Sequence, residues 1–67
     1  MNPHRDIIDE AILKVLRKND MMMVPEIAEK TGYSLPTVTK HLLELVIQSR
    51  VTYIEVGRRG RAWKIKM

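Results

Sequence analysis

Two groups of residues in this chain are suited to chemistry, and the chemistry is recognition. One is a basic, glycine-bounded run, Gly57-Arg58-Arg59-Gly60-Arg61, and the other is a set of hydroxyls and an amine, Ser34, Thr37, Thr39 and Lys40. Arginine forks and lysine ammoniums pair with phosphate or carboxylate oxygens. A threonine hydroxyl offers one donor and two acceptor lone pairs. The parts of a catalytic centre are missing. His4 and His41 are the two histidines, there is no cysteine, and no carboxylates cluster at metal-ligand spacing. No catalytic residue, metal ligand or cofactor is therefore expected, and His41 reads as a packed or surface histidine. Met21-Met22-Met23 reads as adaptable core filling and not as a thioether site for a soft metal.

Charge placement says what would be recognised. Residues 1–49 carry a net −1, and residues 50–67 carry +5 through Arg50, Arg58, Arg59, Arg61, Lys64 and Lys66 against Glu55. A local excess of this kind favours a polyanion. The 67 residues suit one domain, 1–67, with no room for a substrate cleft beside a core. No apolar run approaches the roughly 20 residues of a membrane span. The N-terminus lacks the apolar core of a signal peptide. Absence of cysteine suits a reducing cytoplasm, so the expected location is cytoplasmic and no membrane partner is expected.

The elements that must position these residues follow from periodicity. Asn2-Pro3 reads as a cap and first helical residue. Ile7, Ile8, Ala11, Ile12, Val15 and Leu16 fill one half of a helical wheel, leaving Leu13 outside as an exposed residue or partner contact. Met21–Val24 reads as a brief strand. Pro25–Thr31 reads as a short helix closed by Gly32 at the left-handed C′ position. Ser34 then caps a longer helix, about 35–49, with Pro36 tolerated in its first turn. Leu35, Val38, Leu42, Leu45, Val46 and Ser49 share its inner side. Pro36, Thr37, Lys40, Leu43, Glu44 and Ile47 share the outer side, whose small, polar, basic start suits a DNA major groove. Leu43 and Ile47 are apolar there, which makes them candidates for a dimer or partner contact. After Arg50 the period falls to 2. With a tip at Arg58-Arg59, the hairpin 51–67 pairs Ile54 with Trp63 and Thr52 with Ile65. That register turns Ile54, Val56, Trp63 and Ile65 inward and Tyr53, Glu55, Ala62, Lys64 and Lys66 outward.

The run Pro25-Glu26-Ile27-Ala28-Glu29-Lys30-Thr31-Gly32-Tyr33-Ser34, continued by Thr37-Val38-Thr39-Lys40-His41-Leu42 and Leu45, resembles the winged helix-turn-helix domains of prokaryotic transcriptional regulators. Those similar to it are the arsenic-repressor-like and multiple-antibiotic-resistance-regulator-like families. The resemblance covers roughly residues 6–67. It implies an α+β fold of three helices with a C-terminal two-stranded wing. It implies a non-enzymatic regulator that binds double-stranded DNA in a sequence-specific manner. The expected DNA-binding set is Ser34, Pro36, Thr37, Thr39, Lys40, Arg58, Arg59, Arg61 and Lys64. Leu13, Leu43 and Ile47 are the expected contacts of a homodimer or partner protein, and no small-molecule effector is evident. The sequence departs from the pattern at Ser49-Arg50-Val51, where such regulators often carry glycine, and this is expected to lengthen the helix slightly. The competing function is a winged-helix adaptor that binds protein without reading DNA, against which the basic wing argues.

Overall fold

The structure, a computed structural model, describes residues 3–66, with side chains from residue 7 onward. Three helices precede a hairpin: α1 Pro3–Lys18, α2 Val24–Thr31, α3 Leu35–Ile47, β1 Val51–Glu55 and β2 Arg61–Ile65. This is the α+β winged helix-turn-helix architecture. The Asn2 cap expected for α1 lies outside the described residues.

Local chemistry sets the helix limits. Glu26 reaches back to accept the Met23 N–H at 3.4 Å, and Gly32, at φ 82°, closes α2 by donating to the Ala28 carbonyl at 2.8 Å. Ser34 caps α3 by accepting the Thr37 N–H at 3.3 Å. At its other end α3 is shorter than expected. Ser49 takes a left-handed φ of 60°, its N–H donates to the Val46 carbonyl at 2.9 Å, and Arg50 N–H donates to the Leu45 carbonyl at 2.9 Å. Those two bonds form a Schellman stop with serine in the place usually taken by glycine. The chain therefore turns without a glycine, and α3 is not lengthened.

The core joins all the elements: Ile12, Leu13 and Leu16 of α1, Met22, Ile27 of α2, Val38, Leu42 and Leu45 of α3, Val51 and Trp63. Two faces differ from the periodicity reading. In α1 the buried set is Asp9, Ile12, Leu13 and Leu16, an i, i+3, i+4, i+7 stripe rotated from the expected one. Leu13 is thus interior, which removes it as a partner contact, while Ile7 is exposed. In α3 the stripe is Val38, His41, Leu42 and Leu45, and Leu35 is half exposed. His41 and Asp9 explain both rotations, because each is the polar member of its stripe and they meet in the interior.

The hairpin register also differs by one residue. Tyr53 pairs with Trp63, Thr52 with Lys64 and Val51 with Ile65. The turn is not a two-residue tip. A 3₁₀ turn spans Gly57–Arg59, and Val56 N–H donates to the Gly60 carbonyl at 2.8 Å. An odd loop centred on Arg58 shifts the pairing and reverses the faces of β1. Val51 is accordingly buried, whereas Ile54 and Val56 are exposed. Ala62, expected outside, is buried beside Trp63. β2 has neighbours on both edges: β1 on one, and on the other Met22, which exchanges two backbone bonds with Trp63 at 3.0 and 2.7 Å. The expected strand before α2 is reduced to this single bridge. Among the described residues no helix is long and apolar enough to cross a membrane.

Candidate nucleic-acid interface

Burying one stripe of α3 leaves its opposite side in solvent. Leu35, Pro36, Thr39, Lys40 and Leu43 are exposed there, and Thr37 is half-buried. Ser34 is engaged in the cap, and its hydroxyl also lies 2.9 Å from the Thr37 hydroxyl. With Ser34 as donor, Thr37 keeps its own O–H free to donate outward.

The hairpin brings its cations to the same side. Thr39 of α3 lines one concavity with Arg59, Gly60, Arg61 and Trp63 of the wing and with Met23, Val24 and Pro25 at the start of α2. Helix hydroxyl and wing guanidiniums therefore converge although they are about twenty residues apart in the chain. Arg61 is held in place. Its guanidinium carbon sits 4.6 Å from the centre of the Tyr53 ring, which itself meets Trp63 at a centroid distance of 5.1 Å and a tilt of 50°. A cation stacked on an aromatic face loses less freedom when it engages an anion. Arg58 and Arg59 form the exposed tip. Among the described residues, Lys40, Arg58 and Arg59 have no carboxylate partner, so their charge is available to a ligand.

Other basic residues are placed elsewhere. Lys64 is half-buried and lines a different depression, with Leu16, Arg17 and Asp20, so the structure does not bring it to the α3–wing concavity. Arg50 pairs with Glu10 of α1 at 3.0 Å. Ile47 is the most exposed large apolar residue among the described residues, at 83%, and lies one turn beyond Leu43.

Sequence reasoning missed the residues beneath this surface. His41 Nδ1 donates to Asp9 Oδ1 at 2.8 Å, and both side chains are buried. The bond ties α3 to α1 and sets the roll of α3, which decides what its outer side presents. The available signal was positional: His41 falls i+3 from Val38 and i−4 from Leu45, on the core stripe. Tyr53, the platform under Arg61, was likewise read as an outward residue without a role.

The family described as winged helix-turn-helix DNA-binding matches residues 5–46, from α1 to near the end of α3. No curated protein matches the chain. Among solved structures, the apo Zalpha domain of zebrafish PKZ superposes with a TM-score of 0.89 at 20% identity, covering 96% of this chain and 98% of that one. The Zalpha domain of Carassius auratus PKZ, solved with Z-DNA, gives 0.83 at 22% identity over 92% and 97%. A MarR family transcriptional regulator from Silicibacter pomeroyi gives 0.76 at 20% identity, covering 88% of this chain and 42% of that one. At these identities the likeness is one of fold.

Proposed function

Because the chain belongs to the winged helix-turn-helix DNA-binding family, we propose that it is a small transcriptional regulator that reads double-stranded DNA by sequence. The N-terminal half of α3 enters the major groove, and the wing lies on the backbone or in the minor groove. Thr39 and Lys40 address base edges, with lysine suited to guanine O6 and N7. Thr37, Ser34 and Pro36 bring the first turn of α3 against the phosphates. Arg58, Arg59 and Arg61 neutralise phosphates, and Lys64 acts from a distance. The observation that carries this reading is the single concavity lined by Thr39, Arg59 and Arg61. It joins α3 and the wing in one surface, which supports assigning base reading to the helix and phosphate binding to the wing. A regulator among the neighbours of similar fold is consistent with it.

A second reading, a protein-binding adaptor, is favoured by one observation, the exposure of Leu43 and Ile47 on α3. A homodimer using the same residues would bind a near-palindromic target with half-sites about one helical turn apart.

The test is a fluorescence-polarisation titration of wild type and the Arg58→Ala/Arg59→Ala/Arg61→Ala variant. The probes are a pool of random right-handed duplexes and a left-handed d(CG) duplex, the latter because one neighbour is a complex with Z-DNA. Micromolar or tighter binding to the right-handed pool, lost in the variant, supports the proposal. Binding confined to the left-handed duplex overturns the major-groove placement. Absence of binding at low salt overturns the DNA reading and leaves the adaptor.

A further inference from the structure

The outer side of α3 is unusual for a surface that meets a polyanion, because its most regular feature is apolar. Leu35, Thr39 and Leu43 follow at i, i+4 and i+8, and with Pro36, Lys40 and Glu44 they line an open, mainly apolar depression. Leu35 and Leu43 are 50% and 44% exposed. The depression continues into the α3–wing concavity, since Thr39 lines both. It therefore belongs to the DNA-facing surface, and the question is what apolar group that surface meets.

Base edges in the major groove offer hydrogen-bonding groups and one apolar group, the C5-methyl of thymine. We infer that α3 reads thymine methyls: Leu35, the methyl of Thr39 and Leu43 contact them, and the target carries an A·T-rich run. The eight helical steps from Leu35 to Leu43 advance about 12 Å along the helix. At about 3.4 Å per base pair that reaches three to four consecutive pairs. Ile47 lies a further turn away, toward the end of the helix that leaves the groove.

Charge separates DNA from the other occupants. Lys40 lies on the same depression, and Arg59 and Arg61 adjoin it through Thr39. A second copy docked here would bring two such cationic sets together, and like charges across an interface are repulsive. A duplex meets the cations with phosphates and the leucines with methyls.

This inference rests on the DNA reading above, and one experiment separates their failures. The affinity of the full chain is measured for an alternating dA-dT duplex and for the same duplex with every thymine replaced by uracil, which removes only the methyls. The measurement is repeated with Leu35→Ser/Leu43→Ser, whose substituted side chains are exposed, and circular dichroism checks its fold. Each methyl contacted contributes roughly a fourfold preference, so three contacts give about 60-fold tighter binding of the thymine duplex. In the variant the ratio between the duplexes falls to about fourfold, the share of the Thr39 methyl that remains. Equal wild-type affinity for both duplexes overturns methyl reading while leaving DNA binding intact. A preference undiminished in the variant also overturns it, since DNA shape would then be its origin. Wild type that ignores the methyls and sediments as a dimer, with the variant a monomer, assigns the stripe to self-association instead. No binding to either duplex, nor to the random pool, removes the DNA reading itself.

Discussion

Asp9 and His41 occupy positions where a leucine would pack, and this has a measurable consequence. Each satisfies the other in the interior. Removing one partner leaves a buried polar group alone, which costs far more than the bond itself contributes. His41→Ala is expected to lose about 2–4 kcal/mol of stability, a large part of what a domain this small holds. Asp9→Leu/His41→Leu recovers most of that loss, because both partners leave together. Urea unfolding followed by Trp63 fluorescence measures both. Additive effects of the two substitutions would refute the coupling. Ser49 offers the opposite case, a native residue that strains the backbone. Ser49→Gly removes the cost of a left-handed φ at an exposed site and is expected to stabilise by about 1 kcal/mol. The melting temperature should rise by roughly 4–8 °C. Neither site was legible in the sequence, for the same reason. Residue type left His41 as packed or surface and predicted a continuing helix, whereas the outcome depended on a partner 32 positions away and on where the chain had to go next.

At the scale of elements, what was legible is what local chemistry determines. The start of α3 follows from Ser34, the end of α2 from Gly32, and the change of period after Arg50 from β-branched residues alone. The three helices and the hairpin therefore stand where the sequence placed them. The wing register was not legible, because both pairings satisfy the alternation of Val51–Val56 about equally well. The choice is made by the loop, whose three-residue 3₁₀ turn begins at Gly57 and is closed by Gly60, both at positive φ. Gly60, at φ 103° and ψ −131°, lies in a region open essentially to glycine. Gly60→Ala is expected to cost about 1–3 kcal/mol and to displace the tip arginines. DNA affinity should therefore fall even though no charge is removed. Chemical shifts of the wing amides, compared with those of α3, check where the disturbance lies. Wild-type affinity in a folded Gly60→Ala would show that tip geometry is unimportant. Of the candidate site residues, Thr39, Arg59 and Arg61 line one concavity, while Lys64 and Leu13 lie elsewhere, since the pleat and the roll of α1 place them there.

Across the whole molecule the cations gather at one end of the sequence, and the fold brings Arg59 and Arg61 to one side of α3. Lys64 lines a depression beside α1 instead, and the exposed pair of Arg50 with Glu10 draws Arg50 toward α1 for little stability. If four to six phosphates are neutralised, log K should fall against log salt with a slope of roughly −4 to −5. Arg58→Ala/Arg59→Ala should make that slope shallower by about 2. An unchanged slope would place the tip away from the backbone. The bridge between Met22 and Trp63 adds a mechanical consequence. A two-stranded ribbon is ordinarily free to swing about its base, but here β2 is clamped on both edges at Trp63. The wing is thus a cantilever. Its root is bonded on both edges, and the tip at Arg58 lies beyond that support. The outer half can follow grooves of different width while the inner half, which belongs to the core, stays still, so adaptation at one end of the ribbon leaves the stability of the other untouched.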